Sequence, residues 1–234
     1  MRVSRLFNLM ARPRKSLADV HRRINYLRHN GYLRRVNGVI HVGANVGQER
    51  ELYHDYNLSV LWIEPIPSVF DQLKENIALL PNQECVRALV ADTDGQELTF
   101  HIANNNGESS SILELADHRD IWPDVQFVKD MELRSVTLPT LLKTESIDPK
   151  KFDALVLDTQ GSELLILKGA RLLLPGLRYI KTEVADFESY AGCARLEDMT
   201  KFLSQHGFRE WRLAVFAERQ RGGRYYEVVY RRVP

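Results

Sequence analysis

Two glycines and an acidic residue occur in a spacing that is typical of a nucleoside pocket. The segment Val39-Ile-His-Val-Gly-Ala-Asn-Val-Gly47 joins a short β-branched run to a turn that contains Gly43 and Gly47. A second apolar run, Leu61-Trp-Ile-Glu64, then ends in a carboxylate. In an open α/β sheet, such glycines let a ligand approach the backbone, and an acid at the next strand end binds the ribose hydroxyls. The pattern therefore predicts a nucleoside site.

The same turn indicates which nucleoside is bound. It is one glycine short of the Gly-x-Gly-x-x-Gly turn that places a helix N-terminus against a pyrophosphate, so it suits S-adenosylmethionine better than NAD. Asp92 follows the next apolar run and could accept a hydrogen bond from the adenine amino group, although Asp92-Thr-Asp-Gly95 is equally an ordinary turn. A histidine within a strand is more often a hydrogen-bonded core residue than a catalyst. The candidate cofactor residues are His41, Gly43, Ala44, Asn45, Gly47, Glu64 and Asp92.

A second group of acids lies at the ends of later strands. Asp158 closes the apolar run Phe152-Asp-Ala-Leu-Val-Leu-Asp158, and Glu183 closes Tyr179-Ile-Lys-Thr-Glu183. Glu163 falls in the first turn of the helix after Asp158, where it complements the helix dipole and could simply cap it. Because strand ends of a parallel sheet meet at one edge, we expect these acids to converge. We predict that Asp158 orients or deprotonates an acceptor hydroxyl, with Glu183 or Glu163 assisting.

Composition limits the classes of protein to which the chain can belong. A chain of 234 residues predicts one domain, and its two cysteines suit a reducing compartment. No apolar run is long enough to span a bilayer or to act as a secretory signal, so we expect a cytoplasmic protein. The histidines, cysteines and acids show no metal-ligand spacing, which predicts that no metal is bound.

The charge is unevenly distributed along the chain. Residues 1–38 contain ten lysines and arginines and one acid, Asp19, although the net charge of the whole chain is only +1. We predict a basic helical extension over residues 1–38 and a catalytic domain over residues 39–234. The extension either lies over acidic surface of the same molecule or makes weak contact with an anionic membrane. Aromatic residues do not interleave with its basic residues as in a base-stacking surface, so no nucleic-acid partner is expected.

From Val39 onward, apolar strands alternate with amphipathic helices, which predicts an α/β fold with a largely parallel sheet. The predicted strands include Val39–Val42, Val60–Ile63 and Cys85–Val90, with an antiparallel hairpin near the end of the chain. Residues 103–136 have weak periodicity and are expected to form an irregular excursion over the sheet. Together with the turn 219–224, this excursion is expected to recognise the acceptor.

Several segments together resemble the FkbM family of S-adenosylmethionine-dependent methyltransferases. These are Val39-Ile-His-Val-Gly-Ala-Asn-Val-Gly47, Trp62-Ile-Glu-Pro65, Gly107-Glu-Ser-Ser-Ser-Ile-Leu113, Leu155-Val-Leu-Asp-Thr-Gln-Gly-Ser-Glu-Leu-Leu-Ile-Leu-Lys-Gly-Ala170 and Lys181-Thr-Glu-Val184. The resemblance implies the class I methyltransferase fold, a Rossmann-like sheet that is mostly parallel with its last strand antiparallel and is flanked by helices. By similarity, Gly43, Ala44, Gly47 and Glu64 map onto the cofactor site, and Asp158 and Glu163 onto the family's rim motif.

One departure concerns the cofactor site. His41 stands where many methyltransferases have an acid before the glycine turn, an acid that contacts the methionine amino group of the cofactor.

The family implies O-methylation of a hydroxyl on a sugar, glycan or polyketide-type small molecule. Two alternatives remain open. An NAD-linked oxidoreductase or epimerase would be expected to show a third glycine and a Tyr-x-x-x-Lys pair, and the chain shows neither. The second alternative is a catalytically silent methyltransferase-like module that is recruited by its basic arm.

Overall fold

A computed structural model describes residues 30–233 as alternating strands and short helices. The strands are β1 (Gly38–Val42), β2 (Ser59–Ile63), β3 (Gln83–Val86), β4 (Leu89–Val90), β5 (Glu97–Ala103), β6 (Phe127–Val136), β7 (Ala154–Leu157), β8 (Tyr179–Ala185), β9 (Phe208–Glu218) and β10 (Arg224–Arg232). The α-helices are α1 (Arg50–Asp55), α2 (Pro67–Ile77), α3 (Leu138–Thr144), α4 (Glu163–Gly169) and α5 (Leu196–Gln205). Four 3₁₀ turns occupy Asn30–Arg35, Asp117–Asp120, Pro149–Lys151 and Leu174–Gly176.

Seven of these strands form one sheet in the order β3-β2-β1-β7-β8-β10-β9. All neighbours from β3 to β8 pair in parallel, whereas β10, the last strand, runs antiparallel to both β8 and β9. The class I arrangement that the sequence predicts is therefore confirmed. The strand order reverses between β1 and β7, and open α/β sheets bind their ligands at the carboxyl edge beside such a reversal.

Both faces of the central strands are buried, as expected for parallel strands covered by helices. On one face, Ile40 and Val42 pack with Leu155 in a cluster that extends to α4 and α5. On the other face, Val39 packs in a second cluster with Trp62 and Tyr53 of α1. The strand ends are held between these two clusters, so side chains that follow them project from a rigid edge.

The predicted strand Cys85–Val90 is wrong as a single element. Gln83–Val86 pairs with β2 in the large sheet, whereas Leu89–Val90 pairs with β6 in a separate three-stranded sheet of order β4-β6-β5. The excursion predicted over residues 103–136 also ends in a regular strand, β6. Most side chains of β6 are at least partly exposed, so the strand has no regular apolar pattern. It is a strand because it pairs with β5. This is why hydrophobic periodicity did not reveal it.

The segment before β1 belongs to the packed domain. Tyr32 and Leu33, in the 3₁₀ turn Asn30–Arg35, are each 1% exposed and pack in the same cluster as Trp62. Most of the predicted basic helical extension lies outside the described residues, so its membrane contact and the domain boundary stay predictions. Within residues 30–233, the longest helices are too short or too polar to cross a bilayer.

Candidate active site

A cleft lies at the carboxyl edge of β1, β2 and β7, with about 860 Å³ of space when its open mouth is included. Acids line it at Glu49, Glu64, Glu108 and Asp158, and within the described chain it is lined by neither lysine nor arginine. An acidic cleft without cationic side chains is electrostatically complementary to a positively charged ligand.

Gly43 directly follows β1 and lines this cleft. Its φ is +79°, and a Cβ atom at this position would overlap the backbone carbonyl of Asp158. The interpretation that this glycine admits a ligand is therefore incomplete. The main reason that this position requires glycine is that the end of β1 lies directly against the end of β7.

Gly47 has a different role from the predicted one. It does not line the cleft, and with φ of +74° its missing side chain leaves room for Leu73 of α2. A Cβ atom at Gly47 would lie 2.8 Å from Leu73 Cδ1. The structure thus does not bring Gly47 into the cleft, because this position packs the turn against a helix.

Glu64 lies in the cleft with its carboxylate held by two backbone groups. Its Oε2 accepts a hydrogen bond from the N–H of Asn45 at 2.9 Å, and its Oε1 accepts one from the N–H of Ile66 at 2.9 Å. Burial raises the pKa of Glu64 to about 7, although both N–H groups lower it. Each carboxylate oxygen retains a lone pair for a further donor.

Asn45 joins the glycine turn to the loop that covers the cleft. The residue has φ of +44°, a conformation that asparagine tolerates better than most residues. Its side-chain amide donates to the backbone oxygen of Asn106 at 3.2 Å. Beside it, Ala44 is 1% exposed and also lines the cleft. Both predicted positions are therefore at the site.

His41 lines the cleft and is also a core residue. Its ring stacks on Trp62 with centroids 4.9 Å apart, and its Nδ1 lies 3.2 Å from the hydroxyl of Tyr53. Burial lowers the pKa of His41 to about 4, so the ring is uncharged at neutral pH. An uncharged ring has neither the negative charge nor the acceptor capacity of the acid that many methyltransferases have here.

Asp92 lies outside the cleft. It is exposed, its Oδ1 accepts a hydrogen bond from Thr93, and Ala88, Leu89 and Val90 line the cleft instead. The structure therefore does not bring Asp92 to the cleft with the other predicted cofactor residues. The reason is the divided third strand, because Asp92 follows β4 of the small sheet rather than β3 of the large one.

Asp158 lies directly after β7, and Gln160 holds it in place. The side-chain amide of Gln160 donates to Asp158 Oδ1 at 2.7 Å, and the hydroxyl of Tyr190 donates to Gln160 Oε1 at 2.9 Å. Burial raises the pKa of Asp158 to about 7, while the Gln160 hydrogen bond opposes the rise and the charge of Glu163 adds to it. At neutral pH, Asp158 can therefore both hold and release a proton.

Glu163 uses both carboxylate oxygens on its own turn. They accept hydrogen bonds from the N–H groups of Thr159 at 2.9 Å and Gly161 at 3.0 and 3.1 Å. This carboxylate thus shapes the loop that presents Asp158 and Gln160. We infer a positioning role for Glu163 rather than the assisting catalytic role that the sequence suggested.

Glu183 lies beside Asp158 on the neighbouring strand. Leu157 of β7 is in register with Thr182 of β8, so the two acids are next in register on the same face of the sheet. Burial, together with the charge of Asp158, raises the pKa of Glu183 well above its ordinary value. Ionisation of Asp158 therefore disfavours ionisation of Glu183.

Glu183 opens into a second, smaller cavity of about 280 Å³ that shares Gln160 with the cleft. Its wall contains polar and aromatic side chains close to the acid pair, namely Gln160, Glu163, Glu183, Ser189, Tyr190 and Tyr225. The two cavities thus meet at Gln160, between Asp158 and Tyr190.

Aromatic residues of the 103–136 region support this second cavity. His118 lies 2.7 Å from the hydroxyl of Tyr225 through Nδ1, and its ring packs against Trp122 at 4.6 Å. Trp122 packs behind the wall and does not line the cavity. The 103–136 region therefore holds Tyr225 in place, and it also lines the cleft directly at Gly107, Glu108 and Ser110.

The turn between β9 and β10 is tied to the same region by ion pairs. Arg219 Nη1 lies 2.6 Å from Asp117 Oδ2, and Arg221 Nη2 lies 2.6 Å from Asp120 Oδ2. The two segments predicted to recognise the acceptor are thus joined to each other at one side of the second cavity. Among residues 30–233, no three histidine, cysteine or acidic side chains cluster closely enough to hold a metal ion.

Comparison with known proteins decides the family. Residues 41–210 match the methyltransferase FkbM domain. The chain belongs to the FkbM methyltransferase family. A curated relative, the 2-O-methyltransferase NoeI of Sinorhizobium fredii, is 26% identical over 162 residues, which are 66% of this chain and 65% of the relative. The match thus spans just under two thirds of that relative's length.

Solved structures that resemble this FkbM protein differ widely from it in sequence. An uncharacterized protein from Listeria monocytogenes is 11% identical with a TM-score of 0.50, and the match covers 88% of this chain and 66% of that one. Magnesium protoporphyrin IX methyltransferase from Synechocystis, with bound S-adenosylhomocysteine, is 11% identical with a TM-score of 0.49, over 92% of this chain and 83% of that one.

FkbM methyltransferases use S-adenosylmethionine, and this is the cofactor of the chain. The NAD-linked alternatives are therefore wrong. The residues present fit the cofactor, because its sulfonium adds a positive charge and the cleft is lined by four acids and, among the described residues, by no cationic side chain. Glu64 would accept hydrogen bonds from the ribose hydroxyls, and Ala88 and Leu89 line the same cleft with apolar side chains.

Sequence reasoning missed three residues of this edge. Gln160 lies inside the Asp158–Glu163 motif, and its neighbour Gly161 was a signal that this turn is unusual. Glu49 follows the glycine turn by two residues, so its position near the cleft was open to inference. Tyr190 had no local signal, because only the packing of its segment against residues 109–118 brings it to Gln160.

Proposed function

We propose that this FkbM methyltransferase transfers a methyl group to a hydroxyl oxygen of a sugar, glycan or polyketide-type small molecule. The observation that carries the proposal is the acid pair Asp158 and Glu183 at the junction of the two cavities. A neutral hydroxyl must lose its proton as it is methylated, and an acid with a pKa near 7 is suited to accept it.

In this proposal, Asp158 is the base and Glu183 stores or relays the proton. When bound, S-adenosylmethionine supplies a methyl group that is already activated by the sulfonium. The acceptor oxygen forms the new C–O bond as the methyl–sulfur bond breaks, the sulfur keeps the bonding electron pair, and the hydroxyl proton passes to Asp158. Alignment of the acceptor contributes much of the rate, since no metal or covalent intermediate is required.

The acceptor is proposed to enter through the second cavity. To reach Asp158, its hydroxyl would displace the side-chain amide of Gln160, which now donates to this carboxylate at 2.7 Å. Tyr190 and Tyr225 offer ring faces and hydroxyls, which suits a sugar ring with apolar C–H faces and polar edges. Cationic side chains are absent from the described wall, which favours a neutral acceptor over a phosphorylated one.

The named activity of the curated relative supports oxygen as the acceptor atom. NoeI is a 2-O-methyltransferase, and its match includes two thirds of this chain. We therefore place hydroxyl acceptors ahead of nitrogen or carbon acceptors in the test.

The test is a methyl-transfer assay with a panel of acceptors. We expect S-adenosylmethionine with a trideuterated methyl group to label a hydroxyl of at least one neutral saccharide or polyketide lactone, as seen by mass spectrometry and located by NMR. Nucleobases, amines and the protein itself serve as competing acceptors in the same assay. Transfer only to nitrogen or carbon would contradict the proposal. Binding of S-adenosylhomocysteine without transfer to any acceptor would favour the catalytically silent module instead.

Cofactor affinity is expected to depend on the ionisation of Glu64. Because the ribose hydroxyls donate to its carboxylate, protonation should weaken binding, so the affinity for S-adenosylhomocysteine should fall below about pH 7, approaching tenfold per pH unit. Calorimetry from about pH 8 to about pH 5.5 measures this. Glu64→Gln should bind more weakly and lose the pH dependence, whereas Asp158→Asn should retain it. A profile that persists in Glu64→Gln would assign the titration to another group.

A further inference from the structure

One half-buried acid of the cofactor cleft has no side-chain partner in the described structure and no role in the proposed reaction. Glu64 and Asp158 accept hydrogen bonds from the protein. Glu108 is exposed on the covering loop beside Gly107, which lies against Ile66. Glu49 is half-buried at the N-terminal boundary of α1, lines the cleft, and forms neither a hydrogen bond nor an ion pair with any described side chain.

Glu49 lines the cleft, and its charge acts on ionisable groups of the neighbouring strands. Burial is the largest influence on the pKa values of His41 and Asp158, and the charge of Glu49 raises both. The charge of Glu49 also contributes to the raised pKa of Lys181 in β8, whose main partner is Glu227. Glu49 therefore lies near the β1–β7–β8 side of the cleft.

Glu64 and Glu49 are thus suited to bind different ends of the cofactor. Glu64 and Ile66, which follow β2, and Leu89 of β4 line the part of the cleft that we assign to ribose and adenine. The remaining side must then receive the amino acid portion, which carries a positively charged ammonium group. His41 on this side is uncharged and its Nδ1 faces Tyr53, so it offers no countercharge.

We propose that Glu49 binds the ammonium group of the methionine portion of S-adenosylmethionine, in place of an acid at position 41. The inference rests on the cofactor and is independent of the proposed acceptor. Asp158 is already held by Gln160, so Glu49 is the unengaged carboxylate on this side. An ammonium group and a half-buried carboxylate form a charge-assisted hydrogen bond, which is stronger than a neutral one.

The proposal is tested by binding, with two variants and three ligands. Glu49→Gln removes the charge and keeps the shape. Its matched control is Glu51→Gln, which removes an exposed acid of the same helix whose nearest cation is Arg50 at 3.8 Å. The ligands are S-adenosylhomocysteine, its analogue without the amino group, and 5′-methylthioadenosine, which has neither the amino nor the carboxylate group. Calorimetry measures each pair at about pH 7.5.

We expect Glu49→Gln to weaken S-adenosylhomocysteine binding by about tenfold to a hundredfold. The analogue without the amino group and 5′-methylthioadenosine should bind Glu49→Gln and wild type alike, which would also show that the cleft is folded. Glu51→Gln should match wild type with all three ligands. Unchanged binding of S-adenosylhomocysteine, or an equal loss for all three ligands, would overturn the proposal, because neither pattern depends on the ammonium group.

Discussion

We expect Asp158→Asn to lower the turnover number by about 10²–10⁴-fold on a hydroxyl acceptor while S-adenosylhomocysteine binds as in wild type. The substitution keeps the shape of the side chain but removes the group that accepts the hydroxyl proton. Turnover of the wild type should rise with pH through about 7, as Asp158 loses its proton, and this rise should be absent from the variant. Initial rates at saturating cofactor and acceptor measure both effects.

The matched control for this prediction is Asp92→Asn. Asp92 is also an acid near a strand end, but it is exposed and lies outside both cavities. It should therefore leave turnover unchanged. If Asp158→Asn retained full turnover with intact cofactor binding, Asp158 would not be the base, and Glu183→Gln would be the next variant to measure.

Gly43→Ala is expected to destabilise the fold by about 2–5 kcal/mol. The positive φ of Gly43 strains any other residue, and the new Cβ atom would overlap the carbonyl of Asp158. Relief requires β1 and β7 to separate at the edge where the cofactor binds, so cofactor affinity should fall as well. Urea unfolding at constant pH gives the free energy of unfolding of the variant and of wild type.

Gly192→Ala separates backbone strain from overlap in this measurement. Gly192 also has a positive φ, +71°, but a Cβ atom there would have no neighbour within 4 Å. It should cost only the strain of the backbone conformation, about 1 kcal/mol. A loss for Gly43→Ala no larger than that for Gly192→Ala would show that the contact between β1 and β7 adjusts without cost.

The parts of the fold that depend on local pattern were predictable. The run Val39–Val42 has a β-branched, fully buried pattern, and the structure has β1 at Gly38–Val42. Pro67 and the apolar spacing that follows it predict a helix, and α2 begins at Pro67 and ends at Ile77. Such signals lie within a few residues of each other, so no knowledge of distant contacts is required.

Predictions that depended on pairing were less secure. The run Cys85–Val90 has a continuous strand pattern, yet its two halves pair with different strands. Cys85 and Val86 pair with β2, whereas Leu89 and Val90 pair with β6. Because Leu89 and Val90 belong to the small sheet, Asp92 does not reach the cleft. Glu163 likewise was placed correctly at a helix start, but its hydrogen bonds to Thr159 and Gly161 give it a supporting role.

The sequence by itself determined the family, the cofactor class and the sheet edge at which the acids gather, because a strand, a glycine turn and an acid are encoded within short segments. Only the tertiary structure decided which acid faces which ligand. Gln160 meets both Asp158 and Tyr190, and Glu49 lines the same cleft as Glu64 and Asp158. These relations join residues far apart in the chain, so they depend on strand register and packing, which no local pattern specifies.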